Sequence, residues 1–236
     1  MTQAWSNMQA EPLAEDAWLL RFGETIDAGV NARVLAVAAR LQAELVGVEC
    51  VPAYASLLLR FDPARWLDDE AHFSARRLED AIDAALRSSG MPETASRELT
   101  IPVCYGGEAG EDLDAVAAHA RLSTEEVIAR HTGVTYRVAM LGFAPGFPYL
   151  LGLDPALAMP RRSDPRTRVL AGSVAIGGQQ TGIYPQELPG GWQLIGRTPL
   201  PLFDVAAELP SLFQAGDCVR FRAIDEHEYR RLRRLG

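Results

Sequence analysis

Lysine is missing from this chain: all 23 basic residues among its 236 are arginine. That excludes a Schiff-base lysine and a Walker A phosphate loop, each of which is built on lysine. Cysteine is scarce. Cys50, Cys104 and Cys218 lie far apart in no paired spacing, so neither a disulfide framework nor a zinc knuckle is implied, and each sits in a strand-like segment as an expected buried thiol. No apolar run approaches the length of a membrane span, and the N-terminus lacks the basic and apolar halves of a signal peptide, so a cytoplasmic location with no membrane partner is expected. His119 and His131 are twelve positions apart and cannot be neighbours on one helix, which leaves no metal site to argue. A Ser-His-Asp order, a facing pair of carboxylates and a nucleophilic cysteine motif are likewise absent. The net charge of −8 is spread along the chain, and arginine is dense only at Arg161 to Arg168 and Arg230 to Arg234, so no nucleic-acid partner is expected.

What the sequence has in abundance is glycine and proline between Leu141 and Asp204. Glycine admits positive φ, whereas proline fixes φ and removes a donor, so this stretch is locked into irregular turns. Flexible linkers carry few aromatics, but here Phe143, Phe147, Tyr149, Tyr184 and Trp192 give the loops apolar bodies to pack. Two readings stand side by side: ordered loops around a ligand-sized groove, or a loop-rich barrel held by ordinary turns.

The length accommodates two domains, each with its own core. Residues 1–12 lack periodicity and are expected to be a loose leader. Trp18, Leu20 and Phe22 alternate as a strand, and Val34, Ala38, Leu41 and Leu45 recur at helical spacing with Asn31 as N-cap. Val46 to Val51 and Ser56 to Phe61 flank a turn as a hairpin. Leu78, Ile82, Ala85 and Leu86 then mark a helix ended by Gly90, and Leu99 to Tyr105 alternates again. Strand, helix, strand, strand, helix, strand is the order of a ferredoxin-like split βαβ unit, placed at residues 13–105. Beyond Gly106-Gly107 come a helix with Leu113, Val116 and Ala117 on one face and a second opened by the capping box Ser123 and Glu126, then short strands to residue 236. The fold class expected is α+β, with a closed or half-closed barrel in residues 106–236. A last helix bears Tyr229, Leu232 and Leu235 on one side and reads as solvated.

Several side chains in this frame could carry chemistry. His131, before the Gly133 stop, is either a proton acceptor near neutral pH or a partner of the helix dipole. Arg161, Arg162, Arg166 and Arg168 offer two-donor forks for carboxylate or phosphate, with a direct role expected for one of them. Gln180 and Thr181 in a glycine-rich turn present amide and hydroxyl groups beside backbone N–H, and Arg197 is a second anion candidate.

The words Val103-Cys104-Tyr105-Gly106-Gly107, Gly142-Phe143-Ala144-Pro145-Gly146-Phe147-Pro148-Tyr149, Ala171-Gly172-Ser173-Val174-Ala175-Ile176, Gln180-Thr181-Gly182-Ile183-Tyr184-Pro185, Pro189-Gly190-Gly191-Trp192 and Ile195-Gly196-Arg197-Thr198-Pro199 resemble, block for block, the B-subunit family of bacterial 5-oxoprolinase. The same family includes KipI-type inhibitors of histidine kinases and proteins labelled allophanate hydrolase subunit 1. Leu170 replaces an expected proline and Leu188 an expected serine. The resemblance implies a cyclophilin-like β-barrel after the small α/β domain, and a non-autonomous polypeptide acting with a homologous C subunit and with an A subunit. The substrate would be a small cyclic amide, 5-oxo-L-proline, cleaved to glutamate. ATP would bind at a site shared with or supplied by the partner, with no metal held by this chain alone. On that reading His131, Gln180 and Arg197 are the catalytic candidates, and Arg161, Arg166, Phe143, Pro145, Gly146, Phe147, Thr181, Tyr184 and Trp192 bind substrate or anion. Two alternatives follow from relatives: a regulator of a sensor histidine kinase, and a carboxyltransferase component acting on urea-like substrates.

Overall fold

The computed structural model describes residues 8–87 and 96–234. They fall into two units divided between residues 95 and 96. The first comprises β1 (Gln9–Ala14), β2 (Ala17–Arg21), α1 (Ala28–Glu44), β3 (Val48–Pro52), β4 (Ser56–Phe61) and α2 (Ala75–Arg87). Its sheet is antiparallel in the order β1-β2-β4-β3. Alternation places Trp18 opposite Leu59 and Leu20 opposite Leu57, and these bury against Val34 and Leu41 of α1 and Leu78 and Ile82 of α2. Each fully buried side chain of this size contributes about 1.5–3 kcal/mol, which is what holds the helices to the sheet.

Three expectations for this unit need correction. Asp27, not Asn31, caps α1, accepting from the Val30 N–H at 2.8 Å; Asn31 lies buried one turn further on and donates its amide to the Ala53 carbonyl at 3.1 Å. Part of the supposed leader is β1, whose six residues are all exposed. Such a strand pairs through its backbone and leaves no hydrophobic periodicity to read. The third concerns Leu99 to Tyr105, expected as the last strand of this domain. It belongs to the second unit, and the sheet edge beside β2 is taken by β1. Alternation identifies a strand without identifying its neighbour. The helix stop at Gly90 lies outside the described residues.

The second unit holds β5 (Glu98–Tyr105), α3 (Leu113–Ala120), α4 (Thr124–Thr132), β6 (Tyr136–Leu141), β7 (Pro148–Leu151), β8 (Arg166–Val169), β9 (Ser173–Gly177), β10 (Gln180–Ile183), β11 (Leu188–Gly190), β12 (Gln193–Arg197), β13 (Cys218–Ile224) and α5 (Glu226–Arg233). Seven strands close a barrel in the order β10-β7-β6-β13-β5-β12-β9, while β8 and β11 pair as a separate ribbon. β5 runs parallel to β13, with Glu98 to Cys104 against Cys218 to Ile224, and antiparallel to β12. Inward side chains including Val103, Val138, Leu150, Ile176, Ile195 and Phe221 fill the core together with Val116 of α3 and Val127 of α4.

The Ser123 and Glu126 capping box is present, with bonds of 3.1 and 2.7 Å, and Gly133 closes α4. Arg97 clamps the start of β13 by gripping buried Asp217 with Nε at 2.9 Å and NH2 at 2.5 Å, which raises the arginine pKa above its ordinary value. α5 buries no residue, as expected of a solvated helix; Leu235 lies outside the described residues. The three cysteines do occupy strands, β3, β5 and β13, but each is half-buried rather than fully buried. Among the described residues no helix is long and apolar enough to cross a membrane.

Candidate functional site

The words around Phe143 to Tyr149, Tyr184 and Pro189 to Trp192 assemble on the outer face of the barrel. After β6 the chain makes two turns in succession. The Ala144 N–H bonds back to the Gly142 carbonyl at 2.7 Å, a γ-turn that holds Phe143 at φ 65°. Pro145 and Gly146, the latter at φ 81°, then form the middle of a type II turn closed by Phe147 N–H to Ala144 carbonyl at 3.0 Å. A positive φ on a bulky aromatic costs about 1–3 kcal/mol. Here it leaves Phe143 61% exposed, its ring edge-on to Phe147 at 5.6 Å.

Phe147 is the hub of an aromatic cluster. Tyr184 and Trp192 meet it edge-on at 5.2 and 5.6 Å, and Tyr149 meets Trp192 at 5.8 Å. Gly177 of β9 makes room for this arrangement, since a Cβ there would lie 2.5 Å from the Trp192 ring. The outer wall is the Pro160 to Pro165 loop, pinned by Gln193 Nε2 to the Pro160 carbonyl at 2.9 Å and by the Arg162 N–H to the Gly191 carbonyl at 2.7 Å. Between wall and cluster lies a groove of about 260 Å³. Burial raises the pKa of both Tyr149 and Tyr184, with Arg161 pulling the other way, so both hydroxyls stay protonated at neutral pH.

The arginines sort into distinct duties. Arg161 places its guanidinium over Trp192 in a cation–π contact, 5.5 Å from the ring centre, and among the described residues it has no carboxylate within ion-pair distance. Arg162 is engaged with the Asp164 carbonyl at 3.2 Å and Asp112 at 3.6 Å. Arg166 donates to buried Asp112 at 2.8 Å, and that carboxylate's other oxygen accepts the Leu194 N–H at 2.7 Å. Arg166 therefore braces β8 against β12 and does not line the groove. Arg168 pairs with Glu187 at 2.8 Å. Of these four, Arg161 alone has no carboxylate partner among the described residues.

His131 lies inside the barrel, wholly buried and stacked on Phe221 at 4.5 Å. Its two nitrogens are matched: Tyr105 Oη at 2.8 Å from Nδ1 and Thr181 Oγ1 at 3.1 Å from Nε2. Because the Thr181 hydroxyl donates to the Ala175 carbonyl at 2.9 Å, it accepts from Nε2–H, and Nδ1 accepts from Tyr105. The imidazole is the neutral Nε2–H tautomer, and burial pushes its pKa down to about 3. A proton acceptor at neutral pH and a surface dipole partner are both replaced by a core group.

The expected groove of His131, Arg166, Gln180 and Arg197 is thus not one constellation. His131 and Thr181 share the barrel interior, Gln180 is buried at the start of β10, and Arg197 opens onto a separate depression with Gly172 and Pro199. Phe143, Phe147, Tyr184, Trp192 and Arg161 do come together, with Pro145 and Gly146 shaping the turn beneath them. Tyr105 and Asp112, which orient His131 and Arg166, carry no mark of that role in the sequence; side chains that act through a partner distant along the chain leave no local pattern. Among the described residues no cluster of metal-ligating side chains occurs.

A two-unit α/β protein with an aromatic groove on the outside of a β-barrel is the class these features define. A family profile described as "Carboxyltransferase domain, subdomain C and D" matches residues 8–213. The 5-oxoprolinase B subunit of Bacillus subtilis (strain 168) is 44% identical over 227 residues, covering 94% of this chain and 95% of that protein. That of Haemophilus influenzae is 40% identical over 220 residues, covering 91% and 97%. Among solved structures, TTHA0988 superposes with a TM-score of 0.75 at 42% identity over 89% of this chain, which spans 40% of that longer one. The chain belongs to the 5-oxoprolinase B-subunit family, within the carboxyltransferase domain C and D group.

Proposed function

We propose that the chain is the B subunit of an ATP-dependent 5-oxoprolinase and that the aromatic groove holds the cyclic amide. The observation that carries this reading is the Arg161 guanidinium, which has no carboxylate partner among the described residues and lies over Trp192 at the wall of an apolar cleft. 5-Oxo-L-proline is a flat five-membered lactam with one carboxylate. Aromatic faces accept such a ring, and a guanidinium placed over an indole has its two-donor fork to offer the carboxylate. The groove's volume of about 260 Å³ suits a ligand of that size.

The chemistry is that of a complex with a homologous C subunit and with an A subunit. The lactam oxygen takes the γ-phosphoryl group of ATP, releasing ADP and making the ring carbon electrophilic. Water adds there, the C–N bond opens to the amine, and a second water hydrolyses the acyl phosphate to glutamate and phosphate. Within this sequence the chain positions the lactam and shields it from bulk water. Family membership and coverage of nearly the whole of named B subunits support the assignment.

The test is ADP release by the chain assembled with the C and A subunits, with and without 5-oxo-L-proline. Release that requires both the substrate and this chain, and that falls at least tenfold in Trp192→Ala with assembly intact, is expected. Release that proceeds equally without this chain, or unchanged in Trp192→Ala, overturns the reading.

A further inference from the structure

The depression at Arg197 is distinct from the aromatic groove and about twice its size, roughly 560 Å³ against 260 Å³. Arg197 ends β12 directly opposite Ser173 of β9, and residues so paired project to the same face of a sheet. Arg197 Nε and Ser173 Oγ are both buried, and among the described residues neither has a hydrogen-bond partner. The remaining contact of the guanidinium is a long one, NH2 to the Glu108 carbonyl at 3.4 Å. Of the two residues Arg197 is the one that lines the depression, and an orphaned donor on a cation is costly unless an acceptor arrives. The nearby backbone donors are already spent, Gly172 N–H on the Tyr184 carbonyl and Thr198 N–H on that of Gly172.

The surroundings fix what the acceptor must be. Arg168 and Arg233 stand on the rim with Arg197, against one carboxylate, Glu187, which is held by Arg168. On a chain of net charge −8, such a local excess of guanidinium selects an anion, and the planar fork favours phosphate oxygens. The rest of the wall is apolar, formed by Leu170, Pro199, Leu200 and Leu202, with the Tyr229 ring beside it. A simple oxyanion uses none of that wall and fills a small part of the volume. We propose that this depression is a second ligand site on the barrel, which takes the phosphate chain of a nucleoside triphosphate at Arg197 with the nucleoside against Tyr229. It deepens the 5-oxoprolinase reading, on which it rests for the nucleotide's use, by placing the nucleotide on this chain.

The test is calorimetric titration of the purified full chain with ATP, tripolyphosphate and inorganic phosphate. ATP is expected to bind the wild type, with at least tenfold weaker binding in Arg197→Gln and an intermediate value in Arg197→Lys, which keeps the charge without the fork. Arg233→Gln changes only an exposed residue and should weaken ATP about threefold, while Arg161→Gln in the other groove leaves it unchanged. Thermal unfolding of each variant separates lost binding from lost folding. Tripolyphosphate should follow the same order with lower affinity. No ATP binding to the wild type, equal binding by wild type and Arg197→Gln, or displacement of ATP by equimolar inorganic phosphate would each overturn the site. ATP binding that depends on Arg197, in a complex showing no 5-oxo-L-proline-dependent ADP release, would uphold the site and sink the 5-oxoprolinase reading.

Discussion

The inside and the outside of the same barrel treat polar groups in opposite ways. Inside, the hydrogens and lone pairs of His131 are accounted for through Tyr105, Thr181 and the Ala175 carbonyl. Outside, among the described residues, Arg161 lies over an indole without a carboxylate partner and Arg197 keeps an orphaned donor, while Phe143 is held at a φ that aromatic residues avoid. A satisfied network rigidifies a core and has nothing left to offer a ligand. Unsatisfied or strained groups persist only where the surrounding structure enforces them, and such groups concentrate at functional sites. The residue type most often assigned to catalysis is therefore, in this fold, the one most completely occupied with structure.

The contrast is broken most directly at His131. His131→Ala deletes a buried ring, takes the Tyr105 hydroxyl's partner away and leaves Thr181 with the Ala175 carbonyl alone, and it is expected to cost about 3–5 kcal/mol of stability. Turnover per folded molecule in the assembled complex should change less than threefold. Chemical denaturation together with activity corrected for the folded fraction would check this, and a thousandfold loss in correctly folded protein would move the interior into the chemistry. Acid comes next. The folded-state pKa of about 3 lies below the ordinary value of 6.5, so below 6.5 the unfolded chain binds a proton that the folded one refuses. Stability is full above pH 6.5 and is lost as pH falls toward 3, with a slope approaching about 1.4 kcal/mol per pH unit, or about 2 kcal/mol between 6.5 and 5. Denaturant midpoints across that window test it; a flat profile would mean that His131 is reached by water or protonated in the fold.

Much of this arrangement is legible in the sequence, and the gaps have physical causes. The helices on Val34 to Leu45 and Leu78 to Leu86, the capping box at Ser123 and the barrel of short strands rest on periodicity and local turn chemistry, which act within a few residues. The aromatic groove is readable because glycine and proline announce turns and Phe143, Phe147, Tyr184 and Trp192 lie within them. Two kinds of feature stay hidden. Exposed β1 pairs through its backbone alone, and β5 carries an alternation that fits any sheet, so alternation by itself assigns it to the wrong unit. Tyr105, Asp112 and Thr181 matter through residues 26, 54 and 50 positions away, respectively, a relation that closure of the barrel creates and no local spacing records.

The outer face is sharpened by two smaller effects. Arg161→Gln should raise the KM for 5-oxo-L-proline about tenfold, or about 1.4 kcal/mol, with thermal stability nearly unchanged, since the exposed Arg161 side chain has no ion pair among the described residues and loses only its contact over Trp192. Unaltered KM would leave the groove without its anion anchor. Phe143 gives the finest discrimination. Phe143→Ala and Phe143→Gly remove the same ring and should weaken substrate binding alike, by a few-fold. At an ordinary loop position the glycine variant would be the less stable of the two, because glycine gains more freedom in the unfolded chain. At φ 65° alanine inherits the strain and glycine does not, so the order should invert, with the glycine variant more stable by about 1 kcal/mol. If alanine proves the more stable, the γ-turn is not strained, and the exposed ring is held there at no conformational cost.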